Sequence, residues 1–98
     1  YKADVNKTDR QGMTALMTAA AAGNDAALGV LIKAGASLER VSRAGMTALM
    51  YAAQDGHHEC VKQLLAAGAN KKVADFTGRT ALDWAQDSRN QPTLDLLD

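Results

Sequence analysis

The apolar residues of this chain fall into short stripes at helical spacing, each closed by a glycine. One such stripe consists of Ala48, Leu49, Ala52 and Ala53, which would lie on one face of a helix. Thr47 precedes this stripe and can cap a helix through its hydroxyl, and Gly56 follows it as a helix-ending residue. The pattern therefore predicts a short helix between these two residues.

A second stripe comes after a short loop and predicts a partner helix that ends at Gly68. Its apolar positions share one helical face and are Cys60, Val61, Leu64 and Leu65. The same pattern predicts helices near residues 14–22, 25–34 and 80–87. A last short helix is predicted to start around Pro92, which is a favourable residue for a first helical turn. No strand of normal length is predicted.

Helix pairs of this kind recur at a fixed interval along the chain. The motif Gly-x-Thr-Ala-Leu starts at Gly12, Gly45 and Gly78, which are 33 residues apart. A period in this range indicates stacked repeats, in which each unit buries its apolar face on its neighbour. Because the helices are too short to be stable alone, stacking must hold them together. We therefore predict an all-α solenoid of helix-turn-helix units joined by β-turns and hairpin-like loops.

The repeat divides the chain, which we treat as one domain over residues 1–98, into four parts. We expect a remnant of a preceding unit at 1–8, full units at 9–41 and 42–74, and a C-terminal capping unit at 75–98. The last unit has polar residues between its helices, with Arg89 in place of a glycine, as suits a terminal repeat. The N-terminal edge has no such cap, which favours weak self-association of the chain.

The composition of the chain argues against several classes of function. Lysine and arginine number 11, as do aspartate and glutamate, so the formal net charge is zero. A general binder of nucleic acid or of anionic membranes would carry a basic excess, and no apolar run is long enough for membrane insertion. Cys60 is the single cysteine, which excludes an internal disulfide. We expect an intracellular chain, cytoplasmic or alternatively nuclear.

The repeated residues resemble the ankyrin repeat, whose pattern is a turn, Gly-x-Thr-Pro-Leu-His, two short helices and a closing Gly-Ala-Asp-Val-Asn. The closing motif is matched by Gly35-Ala36, Gly68-Ala69 and Ala3-Asp4-Val5-Asn6. The family prefers proline where this chain has Ala15, Ala48 and Ala81. It prefers a histidine that ties the turns together where this chain has Met17, Met50 and Asp83. The resemblance covers essentially the whole chain and implies the C-terminal portion of an ankyrin repeat array.

This resemblance also implies a binding surface, because ankyrin repeats bind proteins through a concave face built from turn tips and first helices. Carried over by position, the tip residues are Arg10, Gln11, Met13, Arg43, Ala44, Met46, Phe76, Thr77 and Arg79. The helix residues are Thr18, Ala21, Tyr51, Gln54, Asp55, Trp84, Asp87 and Ser88.

Thr18, Tyr51 and Trp84 are 33 residues apart, so we predict that they form a ladder on one face. These three are our strongest candidates for binding within this set. Tyrosine, tryptophan and arginine are enriched in interface hot spots. The alternative is that the two aromatic rings pack between repeats. The tip arginines indicate an acidic or carboxylate-bearing partner, unless they are only solvated.

Metal binding and catalysis have little support in the sequence. His57-His58-x-Cys60 is the one cluster of metal-ligating residues, whereas a structural zinc site needs four ligands at recognisable spacings. No phosphate-binding glycine loop and no nucleophile motif is present. We therefore expect no enzyme activity, cofactor or metal, and we predict a protein-binding scaffold or adaptor module. The alternative is a regulatory or structural domain that packs against another domain of a larger parent protein.

Overall fold

A computed structural model describes residues 5–98, so part of the predicted remnant at 1–8 lies outside the described range. Within that range are six α-helices, which are α1 (Ala15–Ala22), α2 (Asp25–Lys33), α3 (Ala48–Gln54), α4 (His58–Ala66), α5 (Ala81–Ser88) and α6 (Gln91–Leu97). The all-α fold is confirmed, and the predicted helix bounds agree to about one residue. None of these helices combines the length and the apolar character that a membrane crossing requires.

The helices form two layers, with α1, α3 and α5 side by side in one layer and α2, α4 and α6 in the other. Helices of the first layer pack more closely on one another than those of the second. The core lies between the layers, and its fully buried members include Leu16, Leu28, Leu49, Val61 and Leu64. The face formed by the first helix of each pair is the one that the ankyrin resemblance makes concave, and we call it the concave face.

Each unit opens with the same hydrogen-bonded turn. In the second unit the Gly45 N–H donates to the Ser42 carbonyl oxygen at 2.8 Å, and the Ser42 N–H donates to the Met46 carbonyl oxygen at 3.0 Å. Gly45 has a φ of 78°, which residues with a side chain rarely adopt. A Cβ atom at this position would also lie 2.5 Å from the ring of Phe76. Equivalent bonds close the turns of the other two units, which confirms the predicted β-turns.

Neighbouring turns are joined to each other through their backbones. The Arg43 N–H donates to the Gln11 carbonyl oxygen at 2.9 Å, and the Phe76 N–H donates to the Ala44 carbonyl oxygen at 3.2 Å. These two bonds occupy equivalent positions, and they align the three turn tips without the histidine of the family pattern.

Residues that replace that histidine help to begin their own helices. Oδ2 of Asp83 accepts the Thr80 N–H at 3.0 Å, and Oγ1 of Thr80 accepts the Asp83 N–H at 3.4 Å. In the first unit the Thr14 N–H points at the Met17 sulfur at 3.5 Å, and Oγ1 of Thr14 accepts the Met17 N–H at 3.3 Å. Such reciprocal bonds satisfy N–H groups that the start of a helix leaves free.

Candidate functional site

The turn tips form a row along one edge of the concave face. Arg10, Arg43 and Phe76 occupy the same position of three successive turns, and we call these three residues the tip row. Phe76 is 75% exposed, although its ring lies over Gly45 of the preceding turn. The tip row therefore ends in an exposed aromatic ring.

Most of the predicted binding residues are accessible. The exposed ones are Arg10, Gln11, Thr18, Arg43, Ala44, Gln54, Asp55, Phe76, Thr77 and Asp87. The half-buried ones are Met13, Ala21, Tyr51, Arg79, Trp84 and Ser88. Met46 is the exception, because its side chain belongs to the hydrophobic core and is only 6% exposed. It offers a partner almost no surface, and we remove it from the candidate site.

Tyr51 and Trp84 are both hydrogen-bonded to the turns of their own units. The Tyr51 hydroxyl donates to Oγ of Ser42 at 2.8 Å, and Nε1 of Trp84 donates to Oδ2 of Asp75 at 2.9 Å. Both rings are half-buried and pack against the core. The two rings therefore stabilise their own turns, and each still leaves part of its surface accessible on the concave face.

Thr18 does not repeat this contact in the first unit. Its hydroxyl donates to the carbonyl oxygen of Thr14, the residue before α1, at 3.2 Å. Asp9 stands at the position where the later units have the partner of the aromatic ring, and its Oδ1 accepts the N–H groups of Gln11 and Met13, both at 2.9 Å. The predicted ladder thus contains two residues with the same contact and a third, Thr18, with a different one.

Asp75 was not among the predicted site residues, yet it organises the third turn. Its Oδ1 accepts the Thr77 N–H at 2.8 Å, the Thr77 hydroxyl at 2.6 Å and the Arg79 N–H at 3.0 Å. Burial on its own raises the pKa of Asp75, but the bonds from Thr77, Arg79 and Trp84 outweigh that effect and lower the pKa to about 2. Asp75 is therefore a carboxylate at neutral pH. The one signal in the sequence was its position nine residues before Trp84.

The guanidinium group of Arg79 is engaged by its own unit. Its Cζ lies 4.5 Å from the centre of the Trp84 ring, which is a cation–π contact. Nη2 of Arg79 also donates to the Asp83 carbonyl oxygen at 3.0 Å and pairs with the Asp87 carboxylate. Arg79 is consequently less available to a partner than the arginines of the tip row.

The histidine–cysteine cluster lies elsewhere, beside a groove of about 360 Å³ between the loops that join paired helices. Nε2 of His57 donates to the Ala21 carbonyl oxygen at 3.1 Å, which requires a proton on that nitrogen. Cys60 is 1% exposed, and burial, followed by the charges of Asp25 and Glu59, raises the pKa of its thiol. Among residues 5–98, no group of three His, Cys, Asp or Glu side chains could hold a metal ion.

Comparison with protein families gives a match over nearly the whole chain. The family model described as ankyrin repeats (3 copies) matches residues 1–75 and, in an overlapping match, residues 31–97. A search among curated proteins returns no significant match. The matched residues include all three turns and all six described helices. The chain therefore belongs to the ankyrin repeat family.

Proposed function

We propose that this chain binds a protein partner through its concave face, as a scaffold or adaptor module. Ankyrin repeats are in general protein–protein interaction modules. The observation that supports this face in this chain is the Phe76 ring, which is 75% exposed at the end of the tip row. Burial of an exposed aromatic ring against a partner lowers the free energy of the complex. Aromatic and arginine side chains also dominate binding hot spots.

Behind the tip row the proposed surface continues onto the first helices. Its exposed members there are Thr18, Gln54 and Asp55, and its half-buried members are Met13, Tyr51, Arg79 and Trp84. The hydrogen bonds of Tyr51 and Trp84 restrict the orientation of their rings. A partner that contacts these rings would therefore lose little conformational entropy on their account.

The test captures partners from native lysate on the immobilised chain and compares it with two variants. Arg43→Ala/Phe76→Ala removes two exposed side chains of the tip row. Lys33→Ala/Lys62→Ala is the matched control, because it removes two exposed side chains from α2 and α4, in the other helix layer. We expect proteins that are retained by the wild type and by the lysine variant to be lost from the tip variant, with all three chains folded by circular dichroism.

Equal capture by all three chains would contradict a binding site at the tip row. Each protein that is lost from the tip variant would then be purified and titrated against the chain by calorimetry. If the chain binds only another domain of its own parent protein, the regulatory or structural alternative replaces the scaffold.

Family membership also bears on catalysis and location. The ankyrin repeat family consists of non-catalytic interaction modules. We propose accordingly that the chain has no activity of its own, and turnover of a substrate by the purified chain would contradict this. Its family and its single free cysteine support an intracellular location, which imaging of a tagged chain in cells would test.

Weak self-association through the N-terminal edge of the stack is a second property that we propose. Val30 is 67% exposed and Leu31 is half-buried on α2. In the next unit Leu64 is equivalent to Leu31 and is fully buried. Gln63 is equivalent to Val30, and its side chain donates to the Asp25 carbonyl oxygen of the first unit. The first unit thus leaves apolar surface open at a position that repeats otherwise cover.

A further inference from the structure

The loops of the first two turns carry a concentration of unpaired positive charge. Arg10 and Arg43 belong to the tip row, and Lys7 and Arg40 occupy equivalent positions on the arms that lead into the same two turns. All four side chains are exposed. Across the described residues, none of the four takes part in an ion pair or a side-chain hydrogen bond. We call these four residues the basic loops.

Acidic residues of the same loops are engaged elsewhere. Oδ1 of Asp9 accepts the N–H groups of Gln11 and Met13, both at 2.9 Å. Oε2 of Glu39 accepts the Asn70 N–H at 3.0 Å. Both carboxylates are therefore held by backbone donors and form no ion pair with the basic loops, and among these six residues two positive charges remain in excess. The formal charge of the chain is zero, so this local excess of cations is balanced by acids in other places.

At the third turn the character of the surface changes from basic to apolar. Val73 stands at the equivalent position of Arg40, and Phe76 at that of Arg43. Arg79, the arginine of this turn, is stacked on Trp84 and paired within its own unit. A segment that lies along the tips would meet four cations first and then an exposed ring.

We propose that the partner presents an acidic segment to the basic loops and an apolar side chain to Phe76, a proposal that rests on the function proposed above. Carboxylates suit arginine because the planar guanidinium group can bind both oxygens at once. A nucleic acid fits less well, because it carries a phosphate at every nucleotide, and some of these would lie near Asp55, Asp83 and Asp87 on or beside the first helices. A peptide can place its uncharged residues there. The order along the partner is therefore carboxylates followed by an aromatic or aliphatic residue.

Selection of random peptides displayed on phage tests this inference without a known partner. The immobilised chains are the wild type, Arg10→Gln/Arg43→Gln and Lys33→Gln/Lys62→Gln. The last variant is the matched control, since it removes the same charge from exposed lysines of α2 and α4. We expect the wild type and the lysine variant to enrich peptides rich in Asp and Glu with an aromatic or aliphatic residue. The arginine variant should bind a synthetic peptide of that sequence about tenfold or more weakly.

Several outcomes would overturn the acidic partner. Enrichment of neutral peptides that bind Arg10→Gln/Arg43→Gln as tightly as the wild type, but do not bind Phe76→Ala, would do so, while leaving the proposed binding at the tip row intact. Equal loss of binding in the lysine variant would show non-specific charge attraction. Failure of every chain to enrich peptides would also reject the inference, and the lysate capture then judges the proposed function independently. The partner would be a nucleic acid if no acidic peptides are enriched and a labelled single-stranded oligonucleotide binds the wild type but not the arginine variant.

Discussion

The indole N–H of Trp84 donates a hydrogen bond of 2.9 Å to Oδ2 of Asp75, and this bond couples the first helix of the last unit to its own turn. In the preceding unit the Tyr51 hydroxyl makes the equivalent bond to Ser42 at 2.8 Å. The acceptor is ionised in one case and neutral in the other. The turn that carries the exposed Phe76 ring is therefore held by the stronger kind of bond.

Trp84→Phe should consequently destabilise the chain more than Tyr51→Phe. The first change leaves the nearly buried Asp75 carboxylate without one of its donors, and hydrogen bonds to charged groups contribute about 1.5–3 kcal/mol, against about 1 kcal/mol for neutral ones. Urea unfolding followed by circular dichroism measures both losses. Because Trp84→Phe also removes ring volume, the same change is made in an Asp75→Ala background, which has no acceptor for the indole N–H. Strict additivity of the two changes would mean that the bond contributes nothing.

Stability should fall as the pH drops from about 4 to about 2, because Asp75 binds a proton in the unfolded chain at a higher pH than in the folded chain. Its pKa in the folded chain is about 2, below the ordinary value of 3.8. A carboxylate whose pKa is lowered by folding stabilises the fold at every pH above its unfolded pKa. That contribution is lost as the pH falls through the folded pKa, and here it amounts to about 2 kcal/mol.

Urea unfolding at a series of pH values checks this acid dependence. Asp75→Asn should be less stable than the wild type at neutral pH, and the difference between the two should shrink below about pH 4. Asp55→Asn is the matched control, since Asp55 is exposed and accepts no side-chain hydrogen bond among the described residues. A constant difference between Asp75→Asn and the wild type across the acid range would contradict the assignment to Asp75.

The 33-residue period was enough to predict the helices and the turns, but not the side-chain partners at the tips. Gly45 and its equivalents indicated the turns because few other residues adopt a positive φ. The same period placed Tyr51 and Trp84 on one face. It could not show that Met46 enters the core, or that Asp75 bonds to Trp84. Both depend on the direction of side chains across a folded turn, and a linear pattern does not contain that direction.

Leu49→Ala should lower the free energy of unfolding by about 2–5 kcal/mol. Leu49 is 2% exposed on α3, which packs against both α1 and α5, so the change leaves a cavity in the middle of the stack. Since each unit is stabilised by its neighbours, the loss should lower the melting temperature of the whole array. Val30→Ala, at a 67% exposed position, should change stability by no more than about 0.5 kcal/mol. A Leu49→Ala chain that melts like the wild type would show that the helix register is wrong.

Arg89→Gly should stabilise the chain. Among the described residues Arg89 is the one non-glycine with a positive φ, 55°, and the equivalent Gly23 and Gly56 both have a φ of 70°. Glycine removes the steric cost of a Cβ atom in this conformation, which is about 1 kcal/mol. Arg89→Ala is the matched control, because it deletes the long side chain and keeps the Cβ atom. An equal gain in both variants would place the effect in the side chain and not in the backbone.

The two ends of the stack differ in polarity, and this difference predicts how copies of the chain associate. At the C-terminal end Gln86 is exposed, although the equivalent Ala53 is fully buried. At the N-terminal end Ala15 is exposed, although the equivalent Ala48 is 1% exposed, and Val30 adds further apolar surface. Contact between two N-terminal edges would therefore bury more apolar area than contact between the other ends. A contact between two identical edges forms a closed dimer.

Light scattering should accordingly show a mass that rises with concentration and levels off at that of a dimer. Val30→Lys should suppress the rise, because it places a charge on the apolar edge that the two copies would share. Gln86→Lys adds the same charge at the opposite end of the stack and should leave the rise unchanged. Growth beyond a dimer, or equal suppression by both variants, would mean that the copies meet end to end through different surfaces. A constant monomer mass would show that the exposed apolar area at the N-terminal edge is too small to hold two copies together.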